Sequence, residues 1–102
     1  MVDKQKIKEI INKAIKKGSF RKDIKKVSLF GSFLSGAPRD DSDIDLLVEF
    51  SPSARIGFFK FIDIQNAFEK GLNKKVDLLT PEALSKRFRA EVLKQAEALY
   101  EK

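Results

Sequence analysis

The segment DIDLLVEF, from Asp43 to Phe50, is the feature that most constrains the fold of this chain. Because side chains alternate across a strand, the segment has one continuous apolar face, made of Ile44, Leu46, Val48 and Phe50. Its other face begins with Asp43 and Asp45, although aspartate is a poor strand former and an unpaired carboxylate is costly to bury. The segment therefore predicts a strand with a packed core on one side and a partner for two carboxylates on the other.

Composition limits the chemistry that such a strand can support. The chain has 102 residues, of which 42% are apolar, and this is enough for one small packed core. It contains no Cys and no His, which excludes disulfides, thiolate nucleophiles, cysteine zinc sites and imidazole bases. Any catalysis must therefore use carboxylates, hydroxyls, Lys, Arg, backbone N–H groups or added metal ions.

The formal net charge of +6 is unevenly distributed, because ten Lys and Arg residues lie between Lys4 and Lys26. This basic region suits either a solvated helix face or attraction to an anionic partner, such as a nucleotide, a nucleic acid or an acidic protein. No apolar run approaches the roughly 20 residues of a membrane span, and the N-terminus lacks the apolar centre of a signal peptide. We therefore expect a soluble, cytoplasmic protein that does not contact a membrane.

Local patterns predict the order helix, strand, loop, strand, helix, strand, helix. The apolar residues of the first helix, which is expected to end near Gly18, are Ile7, Ile10, Ile11, Ala14 and Ile15. Short strands are expected at Lys26–Phe30, Asp43–Phe50 and Lys75–Leu79. This order predicts an α/β fold, with a small mixed β-sheet flanked by helices, in a single domain over residues 1–102.

Two further helices complete this order. Residues 57–71 have helical spacing at Phe58, Phe61, Ile62 and Phe68, while Phe59 and Ile64 lie off that stripe. A helix that is apolar on more than one face suits packing beneath the last helix, contact with a partner, or a homodimer. The last helix opens at Pro81 after Thr80 as its N-cap, and its predicted stripe consists of Leu84, Phe88, Val92, Ala96 and Leu99.

Three aspartates of the predicted sheet can share one face. Asp43 and Asp45 lie two residues apart at the start of the second strand, and Asp77 points away from the apolar residues of the third. If these strands are neighbours, the carboxylates repel one another, and a hard divalent cation relieves that repulsion. Because Mg²⁺ prefers oxygen ligands and the company of phosphates, we expect these three aspartates to form a magnesium site.

Gly31-Ser32 supplies the other half of the predicted site. Glycine allows close approach of the backbone to a ligand, and free N–H groups beside a Ser hydroxyl suit a phosphate. Each feature is weak alone, since a Gly-Ser pair is usually a turn and a D-x-D pair is common on surfaces. A calcium loop is excluded, because Leu46 and Pro52 stand where its Gly and Glu would be. The combination predicts a loop that holds a triphosphate next to a metal held by aspartates.

The combined motif resembles that of a known superfamily. Gly31-Ser32, ten residues, and Asp43-Ile44-Asp45 match the G-S-x10-D-x-D signature of the nucleotidyltransferase superfamily, which has the DNA polymerase β-like fold. The segments DIDLLVEF and KKVDLLTPEAL look like those of the minimal nucleotidyltransferase (MNT) group. The resemblance runs from about Val27 to the C-terminus, with GSFLSG in place of the GSxARG-like run of many relatives.

The resemblance implies nucleotidyl transfer, in which an acceptor oxygen attacks the α-phosphorus of ATP and pyrophosphate leaves. It implies that Asp43 and Asp45 coordinate two Mg²⁺ ions and that Asp77 completes the site and helps to deprotonate the acceptor. It also implies that Gly31 and Ser32 hold the β- and γ-phosphates.

The resemblance further implies a partner, because small MNT proteins often pair with a helical HEPN ribonuclease in prokaryotic toxin–antitoxin modules. There the MNT antitoxin can AMPylate a Tyr of the toxin, and we expect the same activity here. Three alternatives stay open: a non-catalytic antitoxin of the same fold, a nucleotidyltransferase acting on a small molecule, and a nucleic-acid-binding domain. The last is least favoured, since the basic region lacks interleaved aromatic residues.

Overall fold

The computed structural model describes residues 3–31 and 43–102, which form helices α1–α3, strands β1–β4 and one 3-10 turn. In chain order these elements are α1 (Lys4–Lys17), β1 (Ile24–Phe30), β2 (Ile44–Phe50), α2 (Phe58–Leu72), β3 (Val76–Leu79), the 3-10 turn (Pro81–Ala83), α3 (Lys86–Gln95) and β4 (Glu97–Glu101). The first three strands thus lie close to their predicted positions. No helix in this part of the chain has the length and apolar character needed to cross a membrane.

Helix α1 follows from its caps and its apolar stripe. The Asp3 carboxylate accepts a hydrogen bond from the Lys6 N–H at 2.8 Å and so caps the first turn. Gly18 is the C-cap of the helix, at the position where the sequence predicts its end. Its fully buried residues recur every fourth position and are Ile7, Ile11 and Ile15. This stripe packs α1 onto the sheet.

The four strands in the described residues form one mixed sheet in the order β3-β2-β1-β4. Strand β1 pairs antiparallel with β2 and with β4, whereas β2 and β3 are parallel. A parallel pair needs a crossover connection, and α2 provides it. The predicted fold class is confirmed, and β2 and β3 are neighbours, as the predicted site requires.

One face of the sheet carries the hydrophobic core beneath α1 and α2. The residues of β2 in this core are Ile44, Leu46 and Val48, and those of α2 are Ile64, Phe68 and Leu72. The opposite face of β2 begins with Asp45. The alternation read from the sequence therefore gives the correct core face of this strand.

The apolar stripe of α2 differs from the predicted one. Ile64, which lies off the predicted stripe, is fully buried, whereas Phe58 on that stripe is 73% exposed. Phe59 is 82% exposed. The helix packs against α1 and β3. Since α2 is apolar around more than one face, its composition leaves open which face is buried, and packing against α1 decides it.

The prediction for the C-terminus is wrong. One helix is predicted with a stripe that reaches Leu99, but α3 ends at Gln95 and residues 97–101 form β4. Leu99 lies in the core, while Phe88 is 61% exposed and no described residue of α3 is buried. The outer edge of β1 needs hydrogen-bond partners, and β4 supplies them. This long-range pairing outweighs the local helical spacing.

Candidate active site

The two aspartates of the DIDLLVEF segment lie at the start of β2. Asp43 directly precedes the strand, and Asp45 is its second residue. Ile44 and Leu46, on either side of Asp45, are fully buried in the core, so the Asp45 side chain lies on the opposite face. Both aspartates are partly exposed. Below, the sheet face that carries Asp45 is called the carboxylate face.

Asp77 lies beside Asp45 because β3 runs parallel to β2. The register pairs Asp45 directly with Asp77. Neighbouring strands lie about 4.8 Å apart, and paired residues point to the same face, so the two carboxylates stand side by side. Val76 and Leu78 are buried in the core, while Asp77 is exposed. The structure thus places all three predicted aspartates at one end of the β2–β3 pair.

The charges of this group interact. Burial raises the pKa of the Asp45 carboxyl above its usual value, and the negative charges of Asp77 and Asp43 raise it further. The Asp45 carboxylate is therefore destabilised both by lost solvation and by repulsion. A bound cation would offset both effects, since its charge favours ionised carboxylates.

Gly31 lies against the Asp45 carboxylate at the end of β1. Its φ of 80° is in the left-handed region that favours glycine. A Cβ atom on Gly31 would lie 2.9 Å from the Asp45 Cγ and closer still to Oδ2, a distance that no real side chain adopts. Phe30 pairs with Asp45 in the register of β1 and β2, so the next residue, Gly31, lies against the Asp45 side chain. The positive φ and the nearby carboxylate therefore both favour glycine here, in addition to any role in approaching a ligand.

Ser32, the other residue predicted to bind phosphate, lies outside the described residues, as does the rest of the segment up to residue 42. The phosphate-binding half of the predicted site therefore stays a prediction from the sequence. Gly31 is its one member whose position the structure describes.

Carboxylate oxygens are the donors present for a metal ion, and they suit a hard cation such as Mg²⁺. Within residues 3–31 and 43–102, no three His, Cys, Asp or Glu side chains are close enough together to hold a metal ion. Magnesium in nucleotide sites ordinarily takes one or two carboxylates and completes its coordination with phosphate oxygens and water. Asp45 and Asp77 are the adjacent pair that fits this requirement.

Glu69 supports the site in a way that the sequence does not indicate. Its Oε2 accepts a hydrogen bond from the Val76 N–H at 2.9 Å, one residue before Asp77. Strand β3 is at the edge of the sheet formed by the described residues, so none of their other strands bonds this N–H. The contact joins α2 to the start of β3. No local pattern reveals it, because it depends on how α2 packs.

The 3-10 turn after β3 is the second support. The turn lies against β2. Arg89 of α3 holds the turn: its Nε donates a hydrogen bond to the Pro81 carbonyl at 2.9 Å, and an Nη donates one to the Leu84 carbonyl at 3.1 Å.

Leu47 and its register partner Ser28 lie on the carboxylate face and are buried. The apolar Leu47 in an otherwise polar row is the sequence signal that this part of the face is covered.

Comparison with known proteins identifies the family. The family model described as "Polymerase beta, Nucleotidyltransferase" matches residues 5–102. The chain belongs to this family. It is therefore a nucleotidyltransferase, and both the resemblance of its motif and the predicted fold class are confirmed.

Individual relatives agree with this assignment. "Putative protein adenylyltransferase MJ1379" of Methanocaldococcus jannaschii is 36% identical over 78 residues, which are 76% of this chain and 78% of that protein. "Protein adenylyltransferase MntA" of Thermococcus cleftensis is 28% identical over 95 residues, which are 93% and 94% of the two chains.

One solved structure with this fold is the "tri-AMPylated Shewanella oneidensis HEPN toxin in complex with MNT antitoxin". It matches with a TM-score of 0.63 and 21% identity, over 94% of this chain and 73% of that chain. At this identity the match shows that the two chains share a fold.

Proposed function

We propose that this nucleotidyltransferase moves AMP from ATP to a hydroxyl of a partner protein in the presence of Mg²⁺, and that it acts as an antitoxin. The observation that carries the proposal is the placement of Asp45 beside Asp77, with Gly31 against the Asp45 carboxylate. The names of two relatives, both adenylyltransferases, support AMP as the transferred group. Residues 1–102 would act as one minimal nucleotidyltransferase domain.

Each residue of the site has a proposed role. Asp45 and Asp77 would hold two Mg²⁺ ions together with the phosphates of ATP, and Asp43, directly before β2, would join them when the ions and ATP are bound. Such ions stabilise the attacking and leaving oxygens of an in-line displacement. Gly31 and Ser32 would present a backbone N–H and a hydroxyl to the β- and γ-phosphates. Asp77 is the exposed carboxylate of the group, so it can receive the proton of an incoming hydroxyl.

In the proposed reaction, the acceptor oxygen bonds to the α-phosphorus of ATP as the bond between that phosphorus and the β-phosphate oxygen breaks. The acceptor proton passes to Asp77 and then to water, and pyrophosphate leaves. This reaction asks the protein mainly for positioning and electrostatic stabilisation. The described strand ends, where Asp45 lies beside Asp77 and Gly31 lies against Asp45, would contribute to both.

The proposed acceptor is a Tyr of a helical HEPN toxin. Support comes from the matching structure, which is named as an AMPylated HEPN toxin bound to its MNT antitoxin. The toxin's own surface would deliver the hydroxyl to the carboxylate face. Phe58 and Phe59, which are exposed at the start of α2, offer an apolar surface to this partner or to a second copy of the chain.

Intact mass spectrometry tests the proposal directly. A candidate HEPN partner protein is incubated with ATP, Mg²⁺ and the nucleotidyltransferase, and then weighed. Adducts of about 329 Da, the mass of AMP less water, are expected on the partner. They should be absent with Asp45→Asn or Asp77→Asn. Asp63→Asn is the matched control and should keep full activity, because Asp63 is an exposed aspartate of α2 and lies outside the carboxylate face.

Two outcomes would contradict the proposal. If the wild type and Asp45→Asn both silence the toxin while its mass never changes, the protein masks its partner by contact alone. If calorimetry shows no ATP binding at millimolar ligand, with or without Mg²⁺, the proposed nucleotide site is wrong.

A further inference from the structure

A groove of about 630 Å³ runs between α1 and α2. Its volume is in the range of ligand-binding clefts. The α1 residues that line the groove lie on the face next to the buried face of that helix. The α2 residues that line it belong to the last turns of α2. Since α1 and α2 cover the core face of the sheet, the groove lies on the side opposite Asp45 and Asp77.

The floor of this groove is apolar. Ile10, Ala14 and Ala67 line it and are partly buried. Phe20 is 6% exposed, and its ring packs edge-on against Phe68 with centroids 6.2 Å apart. These side chains are short or already packed inward, so the floor leaves room for apolar side chains of a bound segment.

Three lysines border the floor: Lys13, Lys17 and Lys70. All three are exposed, and none makes an ion pair or hydrogen bond in the part of the chain that the structure describes. No acidic residue is among the described residues lining the groove. Lys17 and Lys70 lie in the last turns of their helices and so interact favourably with the helix dipoles, but Lys13 lies a turn earlier. In the described part of the chain, the border of the groove is therefore positive, with no acidic side chain among the lining residues.

An apolar floor with a cationic border selects a ligand that has apolar anchors flanked by negative charge. An amphipathic helix with acidic flanks has this pattern, and packing such a helix into a groove is a common mode of protein recognition. Nucleic acid fits less well, because single strands are recognised by stacking on exposed aromatic rings, and the Phe20 ring is buried.

We propose that the groove between α1 and α2 docks an acidic amphipathic helix of a partner protein. The charges of the three lysines would steer this helix and set its preference, and the apolar floor would hold its anchors. A helix docked there leaves the carboxylate face free. Neither nucleotide nor metal takes part, so this proposal and the proposed enzymatic activity can fail independently.

Two synthetic peptides test the proposal. One is an amphipathic helix of about 18 residues with Leu along one face and Glu on both flanks, and the other has Lys in place of every Glu. Binding is followed by the amide chemical shifts of the isotope-labelled full chain. We expect the acidic peptide to shift amides of residues 10–20 and 67–71, and to bind at least about tenfold more tightly than the basic peptide.

Charge reversal at the border tests the role of the lysines. In the triple variant Lys13→Glu, Lys17→Glu, Lys70→Glu, the preference should reverse, so that the basic peptide binds about tenfold more tightly than the acidic one. The three side chains are exposed, and thermal melting of the variant checks that it remains folded.

The matched control is the triple variant Lys6→Glu, Lys16→Glu, Lys94→Glu. It changes the net charge equally, and Lys16 and Lys94 also lie in the last turns of helices. It should retain the preference for the acidic peptide. The proposal is overturned if millimolar acidic peptide leaves the groove amides unshifted, if the two peptides bind equally, or if the control loses the preference. It is also overturned if a single-stranded oligonucleotide competes as well as the acidic peptide does.

Discussion

The two faces of β2 impose opposite demands on the same seven residues. On the core face, Ile44, Leu46 and Val48 are fully buried among apolar side chains. On the carboxylate face, Asp45 lies beside Asp77, and its pKa is raised by burial and by like charge. The core face stabilises the strand, whereas the ionised carboxylate of Asp45 opposes folding.

This difference shows how a small domain can carry a strained site. Neighbouring residues of a strand point to opposite faces. The destabilised carboxylate of Asp45 can therefore lie next in sequence to the fully buried Leu46 without entering the core. Stability and chemistry should therefore be separable by single substitutions along one strand.

Removal of a core side chain should have the largest effect. Leu46→Ala leaves a cavity in the core and should lower the free energy of unfolding by about 2–5 kcal/mol. Leu93→Ala is the matched control, because Leu93 is 42% exposed on α3, and it should change stability by less than about 0.5 kcal/mol. Urea unfolding followed by circular dichroism measures both. Similar losses for the two variants would mean that β2 is not the centre of the core.

Gly31→Ala should disturb the carboxylate face next most strongly. The left-handed conformation alone costs an L-residue about 1–2 kcal/mol, and the new Cβ would also strike the Asp45 carboxylate. We expect this loss of stability together with loss of nucleotidyl transfer. Gly57→Ala is the control, since Gly57 has a negative φ and open space around it, and its effect should stay within about 1 kcal/mol. Equal effects at both glycines would contradict the contact with Asp45.

Glu69 lets the support of the edge strand be tested. Glu69→Ala removes the acceptor of the Val76 N–H and should cost about 1 kcal/mol. Glu69→Gln retains an oxygen acceptor and should cost less. Hydrogen exchange of the Val76 amide gives a direct readout, with faster exchange expected in the Ala variant than in the Gln variant. Unchanged exchange in both would show that the contact does not hold β3.

The dependence of stability on pH should show the smallest effect. The folded-state pKa of Asp45 is raised above its usual 3.8, so the folded protein binds this proton more tightly than the unfolded chain does. The stability that protonation contributes is therefore lost as pH rises above about 4. Without divalent ions, the free energy of unfolding of Asp45→Asn should therefore increase relative to that of the wild type as pH rises above about 4. A relative loss would instead mean that the Asp45 carboxylate stabilises the fold.

Much of the site could be predicted from the sequence because its signals are local. Alternation in the DIDLLVEF segment identifies the core and carboxylate faces of β2, and Asp77 has the same outward position in β3. Gly31 and Asp45 lie in one continuous segment, so the separation between them can be read directly from the sequence. Glu69 and Arg89 could not be found in this way, because each acts through a contact between elements that only packing brings together.

The sequence by itself determined α1, the first three strands and the positions of the three aspartates, because periodicity and capping act within a few residues. Only the tertiary structure decided that Leu99 belongs to a strand, since β4 forms by pairing with β1, far away in the chain. The same holds for the direct pairing of Asp45 with Asp77. Hydrogen bonds between strands depend on which edges meet, and that is settled by burial of the whole core rather than by local preference.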